Sequence, residues 1–192
     1  MPMSRAVRRL GAVFISLALL AAARPASAEI KKFARPCKEQ TICVFYRAVV
    51  AVPDGWVEDK AATRHFDAVI LLQKGVAFNN SQATIYAVAR YNPKRQPLSD
   101  FVTEAFEELR SVAKDGKITV LPDLPRAAGQ PAFKRHSFEA PSQKEQGYEL
   151  HAVTMDSDEN NNQFVVTITL SANSRDTLKA AEPAYLAVLG KY

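Results

Sequence analysis

Cys37 and Cys43 are the chain's only cysteines, and together with its three histidines they bound the chemistry its side chains could carry out. In an oxidising compartment, two thiols at this spacing close a small local loop, Cys37-Lys-Glu-Gln-Thr-Ile-Cys43. The CxxC spacing of a redox pair is missing, and without a nearby histidine the two thiols are too few for zinc, so a disulfide is predicted. His136 and His151 flank a segment, 141–147, with the character of a hairpin connection. If the hairpin closes symmetrically over 141–146, the two imidazoles stand directly opposite each other, whereas a one-residue slip sends them to opposite faces. Tyr148, Leu150 and Ala152 read as inward residues, which turns His151 outward and favours the slip, although Phe133 breaks the matching pattern on the other arm. Even paired, two histidines lack a third ligand of evident origin, with His65 remote in sequence, so no tight zinc site is expected.

Other candidate chemistry is thin. Glu107 and Glu108 read as the solvated face of a helix. The run Asp156-Ser-Asp-Glu-Asn begins like a calcium loop, but Asn161 stands where glycine is needed and Thr167 where glutamate is needed. A hairpin turn is expected there, asparagine being tolerant of positive φ. Walker A, G-x-G-x-x-G, G-x-S-x-G and H-E-x-x-H are absent. Neither a catalytic residue nor a cofactor-binding residue is predicted.

The oxidising compartment follows from the first residues. Arg5, Arg8 and Arg9 precede an apolar run over 10–23, and Ala26-Ser27-Ala28 supplies the small residues a signal peptidase accepts. Residues 1–28 are therefore predicted as a signal peptide cleaved near Ala28, leaving a periplasmic or secreted chain. The run stops at Arg24, short of the roughly 20 apolar residues of a membrane span. Of 25 Lys+Arg against 20 Asp+Glu, Arg5, Arg8, Arg9 and Arg24 belong to the leader, so the mature chain balances 21 against 20 at a net charge of +1. Without a basic stripe, nucleic-acid binding is not expected. The mature length suits one domain, 42–192, preceded by an extension, 29–41, that carries the disulfide loop.

The elements that must position these residues alternate between two periods. Residues 163–171 place Phe164, Val166, Ile168 and Leu170 on one face, a strand with one strongly apolar side. Further strands are predicted over 42–52, 67–73, 82–91, 117–121, 132–140 and 148–155. Pro53-Asp54-Gly55 should reverse the first of these and deliver Trp56 to a sheet edge. A helix capped by Ser99 carries Phe101, Val102, Ala105, Phe106, Leu109 and Val112 at helical steps, with Lys114 in its last turn and Gly116 beyond it. A second runs from Arg175 to before Gly190. Residues 57–67 read as a polar connection. The predicted order is β-β-β-α-β-β-β-β-α, an α+β fold with a central antiparallel sheet flanked by helices.

Four features together resemble the PsbP-like fold family, which has many exported bacterial members: Pro53-Asp-Gly-Trp56 after a first strand, the Pro97-Leu-Ser-Asp-Phe101 helix entry, Gly129 with Ala132 before a strand pair, and 164–171 before a terminal helix. The resemblance covers 42–192 and implies a non-enzymatic binding or assembly module. The expected function is protein–protein interaction in the periplasm or envelope, with an envelope protein as partner and Trp56, His136 and His151 as candidate interaction or structural residues. The alternative is a small-ligand or lipid carrier with a pocket between sheet and helix, which an apolar cleft open to solvent would favour.

Overall fold

Pattern and turns are translated into nine strands and three α-helices among the residues described by this computed structural model, 30–36, 41–143 and 146–192. In chain order they are β1 (Ile30–Pro36), β2 (Ile42–Ala48), β3 (Trp56–Glu58), α1 (Lys60–Phe66), β4 (Val69–Gln73), β5 (Ala83–Tyr91), α2 (Leu98–Val112), β6 (Lys117–Leu124), β7 (Phe133–Glu139), β8 (Tyr148–Ser157), β9 (Gln163–Ala172) and α3 (Arg175–Lys191). The signal peptide predicted over 1–28 and Cys37 lie outside the described residues.

The fold is α+β. A seven-stranded antiparallel sheet has the order β3-β4-β5-β9-β8-β7-β6, and β1 pairs with β2 in a separate two-stranded sheet. The last strand in sequence thus enters between β5 and β8, where Phe164, Val166, Ile168 and Leu170 are all at 0% exposure. Burying each such side chain stabilises the fold by about 1.5–3 kcal/mol, which is why this pattern dominates the chain. Against that face pack Ala181, Tyr185, Val188 and Leu189 of α3 together with Ala48 of β2. The Tyr185 hydroxyl donates to the Ile168 carbonyl at 3.2 Å.

The opposite face of β9 corrects the one-sided reading. Val165, Thr169 and Ser171 are buried there and Thr167 is half-buried, because α1 and α2 cover that side of the sheet. α1 is itself a departure from the expected polar connection. Asp59 caps it by accepting from the Ala61 and Ala62 amides at 2.9 and 3.0 Å, and Ala62 then joins Ala68, Ile70 and Leu72 in a small core. β1 was not predicted either. The segment expected as an extension pairs along its whole described length with β2, and Ile30 packs against the main core. The limits of the two long helices also shift: α2 begins at Leu98 without a side-chain cap and ends before Lys114, and α3 continues through Gly190. Gly116 sits under Phe138, where a Cβ would lie 2.6 Å from the Phe138 ring.

Trp56 lies at the sheet edge, where the turn chemistry puts it, but it begins a short strand, β3, within what reads from sequence as the start of a polar connection. Its amide donates to the Pro53 carbonyl at 3.1 Å, Gly55 takes φ +78°, and the half-buried indole packs against the main core. No helix among the described residues is long and apolar enough to cross a membrane.

Candidate functional site

α2 shows why a helix that covers a sheet need not fill the space beneath it. None of its residues is fully buried; Phe101, Val102, Ala105, Phe106 and Leu109 are only half-buried. Contacts near its two ends hold it in place. Near its start, Arg90 of β5 reaches Glu104 at 2.6 Å and lies 4.4 Å over the Phe101 ring. Past its end, Asp115 accepts from the Ser142 amide and hydroxyl at 3.0 and 2.6 Å, and the Gln143 amide donates to the Val112 carbonyl at 3.2 Å. The Ser142 hydrogen bonds hold the Asp115 carboxyl below its ordinary range. Between these ties remains a cleft of about 490 Å³.

Its apolar lining comes from Phe101, Ala105 and Leu109 of α2 and from Val88, Phe138 and Val165 of the sheet, with Arg90, Glu104, Glu108, Gln143 and Gln146 also lining it. Its floor is polar, because the helix-facing sides of β5, β8 and β9 carry Tyr86, Glu149, His151, Thr167 and Thr169. The antiparallel register aligns these side chains: Phe138 opposes Glu149, His151 opposes Thr169, and Thr169 opposes Tyr86. His151 is the hub. Its Nε2 lies 2.8 Å from Glu149 Oε2, its Nδ1 lies 3.3 Å from the Thr169 hydroxyl, and its residue is 8% exposed. Burial pushes the Tyr86 phenol well above its ordinary value, with the Glu149 carboxylate as the next cause.

The register also overturns the predicted slip. His136 pairs directly with His151, and the rings stack 4.5 Å apart at 8°. His151 does leave the face of Leu150 and Ala152, as the pattern requires, but that other face is covered by α2, so outward in pattern is still inside the protein. His136 follows it there because Phe133 marks the core side of β7, leaving His136 and Phe138 toward α2. Phe106 meets the His136 ring edge-on at 4.7 Å. Burial first, and His151 second, lower the His136 pKa to about 3. Its Nε2 is buried and has no hydrogen-bond partner among the described residues.

The remaining candidates lie elsewhere. His65 is exposed on α1 against Phe66, and Trp56 packs against the main core rather than lining the cleft. Glu107 and Glu108 are both exposed, as a solvated helix face requires, and Glu108 also lines the cleft. Cys43 lies on β2 opposite Arg35; its predicted bridge to Cys37 falls on a residue outside the description. The calcium-like run is a turn: Asp158 accepts from the Asn160 and Asn162 amides, each at 2.9 Å, and Asn161 takes φ 59°. Asp156 is engaged instead by Arg126, both nitrogens at 3.2 Å, and by the Tyr192 hydroxyl at 2.9 Å. Glu149, Tyr86 and Thr169 were missed by sequence reasoning, although one signal was available. A glutamate two residues before a histidine, within a strand of otherwise apolar and β-branched residues, puts two polar groups on one face.

No family model matches the chain, and no curated protein matches it. Among solved structures it is similar to the Saccharomyces cerevisiae Ran-binding protein Mog1p, at 12% identity and a TM-score of 0.41, over 84% of this chain and 89% of that one.

Proposed function

We propose that the protein is an exported binding module that holds a small, partly apolar ligand in the cleft between α2 and the sheet. The observation that carries this reading is the cleft itself: a concave, apolar-walled space floored by a few convergent polar groups, the arrangement typical of small-molecule sites. α2 is the less deeply anchored wall, since none of its side chains is fully buried. Export rests on the signal pattern of residues 1–28, and the non-enzymatic assignment on the absence of catalytic motifs and on the PsbP-like resemblance. The envelope-partner reading ranks second. It has one observation in its favour, the open edge of β6 with Val120 at 72% exposure, but Pro122 and the register shift between Leu121 and Leu124 blunt that edge for strand pairing.

The test is binding of a neutral solvatochromic dye, Nile red, to the mature protein. Ala105→Trp places an indole in the cleft from the half-buried face of α2 and should abolish the fluorescence gain without lowering the unfolding midpoint. Dye binding that is equal in both proteins would sink the cleft as a ligand site.

A further inference from the structure

Charge and unmet hydrogen bonding narrow the ligand class. Three carboxylates line the cleft, Glu104, Glu108 and Glu149, against one guanidinium, Arg90. That guanidinium is already engaged, by Glu104 at 2.6 Å and by the Phe101 ring. Glu108 has no ion-pair partner among the described residues. Glu149 is 6% exposed, and among the described residues its side chain makes one hydrogen bond, through Oε2 to His151. An ionised carboxylate presents about four acceptor sites, and Glu149, which lines the cleft, has acceptor capacity on Oε1 that no hydrogen bond among the described residues uses. The Tyr86 phenol reports the same field: after burial itself, Glu149 is the next cause that raises it, and Glu108 adds further.

Each ligand class meets this floor differently. A neutral apolar molecule would displace water from Oε1 and return nothing, leaving a buried carboxylate stripped of its hydrogen bonds. An anion would add repulsion to that loss. A protonated amine would replace the displaced water with a charge-assisted hydrogen bond, beside the face of Phe138, the residue opposite Glu149 on β7.

We propose that the cleft takes a primary ammonium with an apolar tail, its head on Glu149 Oε1 within reach of the Glu108 field and its tail along Phe101, Ala105 and Leu109. This rests on the cleft being a ligand site, and the test separates the two. The probes are octylammonium, octanol and octanoate, titrated calorimetrically at pH 7 into the mature protein. Octylammonium should bind at least tenfold more tightly than octanol, with octanoate weakest. Glu149→Gln should weaken octylammonium by about ten- to a hundredfold and leave octanol unchanged. Should that variant fail to fold, Glu108→Gln, on an exposed position, should still weaken octylammonium by about two- to fivefold, and added salt should erase that difference. Octanol or octanoate binding as tightly as octylammonium overturns the cationic class while leaving the cleft reading intact. A preference for octylammonium that survives both glutamine variants overturns the head's placement on these carboxylates. Failure of all three probes, together with dye binding indifferent to Ala105→Trp, overturns both.

Discussion

Lowering the pH from 7 to 5 should destabilise the protein through His136. The folded state keeps this imidazole neutral, its pKa lowered from 6.5 to about 3 by burial and by the stacked His151, while the unfolded chain protonates it near 6.5. Between those values the unfolded state binds the extra proton, so stability rises with pH. The contribution is fully present above 6.5 and is lost as the pH falls toward 3. From 6.5 down to 5, the fully developed shift would remove about 2 kcal/mol, at about 1.36 kcal/mol per unit. With a discount for partial solvent screening, the expected loss is about 1 kcal/mol. Urea titrations of wild type and His136→Phe at pH 7 and pH 5 read it directly. Phenylalanine preserves the ring packing against His151 and Phe106 and removes an Nε2 that has no partner among the described residues, so the variant should be at least as stable as wild type at pH 7 and lose about 1 kcal/mol less on acidification. The same pH dependence in both proteins would refute the buried-neutral assignment.

Three further outcomes are expected. Arg126→Ala should cost about 3–5 kcal/mol by denaturant titration, because it leaves Asp156 buried without its bidentate partner; Arg126→Met combined with Asp156→Leu should cost less than the single change, and a larger cost for the pair would reject the charge argument. Ile168→Ala should cost about 2–5 kcal/mol, with Thr167→Ala costing clearly less, since Ile168 is fully buried while Thr167 is only half-covered beneath α2; equal midpoints would reject that difference. Cys37 and Cys43 are proposed to be bridged, on the oxidising compartment that the signal pattern implies and the short loop between them, so alkylation of the unfolded, non-reduced mature chain should label neither thiol.

Most strands were legible because their period of two is enforced by burial. Seven strands and the two long helices lie close to where alternation and helical spacing put them, and Asn161 at φ 59° explains why the polar turn before β9 tolerates its sequence. The misses have separate physical causes. β1 carries charges at Lys31, Lys32 and Arg35 because it is a surface strand, held by backbone pairing to β2 rather than by an apolar face. α1 is seven residues long, too short for its period to stand out, and its one strong signal is the Asp59 cap. The histidine register failed because pattern reports which residues share a face, not whether the second face is wet. With α2 laid over it, His151 at 8% exposure is about as shielded as Leu150 at 7%.

That same limit explains why the cleft could be named as an alternative but not located from sequence. Helical spacing in 98–112 shows that α2 lies on a sheet; how far it stands off depends on what the sheet presents to it. Here the facing positions are Tyr86, Glu149, His151, Thr167 and Thr169 rather than an unbroken aliphatic layer. Polar groups hydrogen-bonded within the sheet's own plane, as His151 is to Glu149 and Thr169, gain nothing from a leucine pressed on them. An apolar helix face meeting such a floor is held at Arg90, at Phe106 against His136, and past its end at Ser142 with Gln143, and the space over Glu149 and His151 stays open. The cleft is therefore the product of a mismatch between an amphipathic helix and a polar sheet face, and replacing Glu149 and His151 together by leucine and phenylalanine should close it, raising stability while abolishing dye binding.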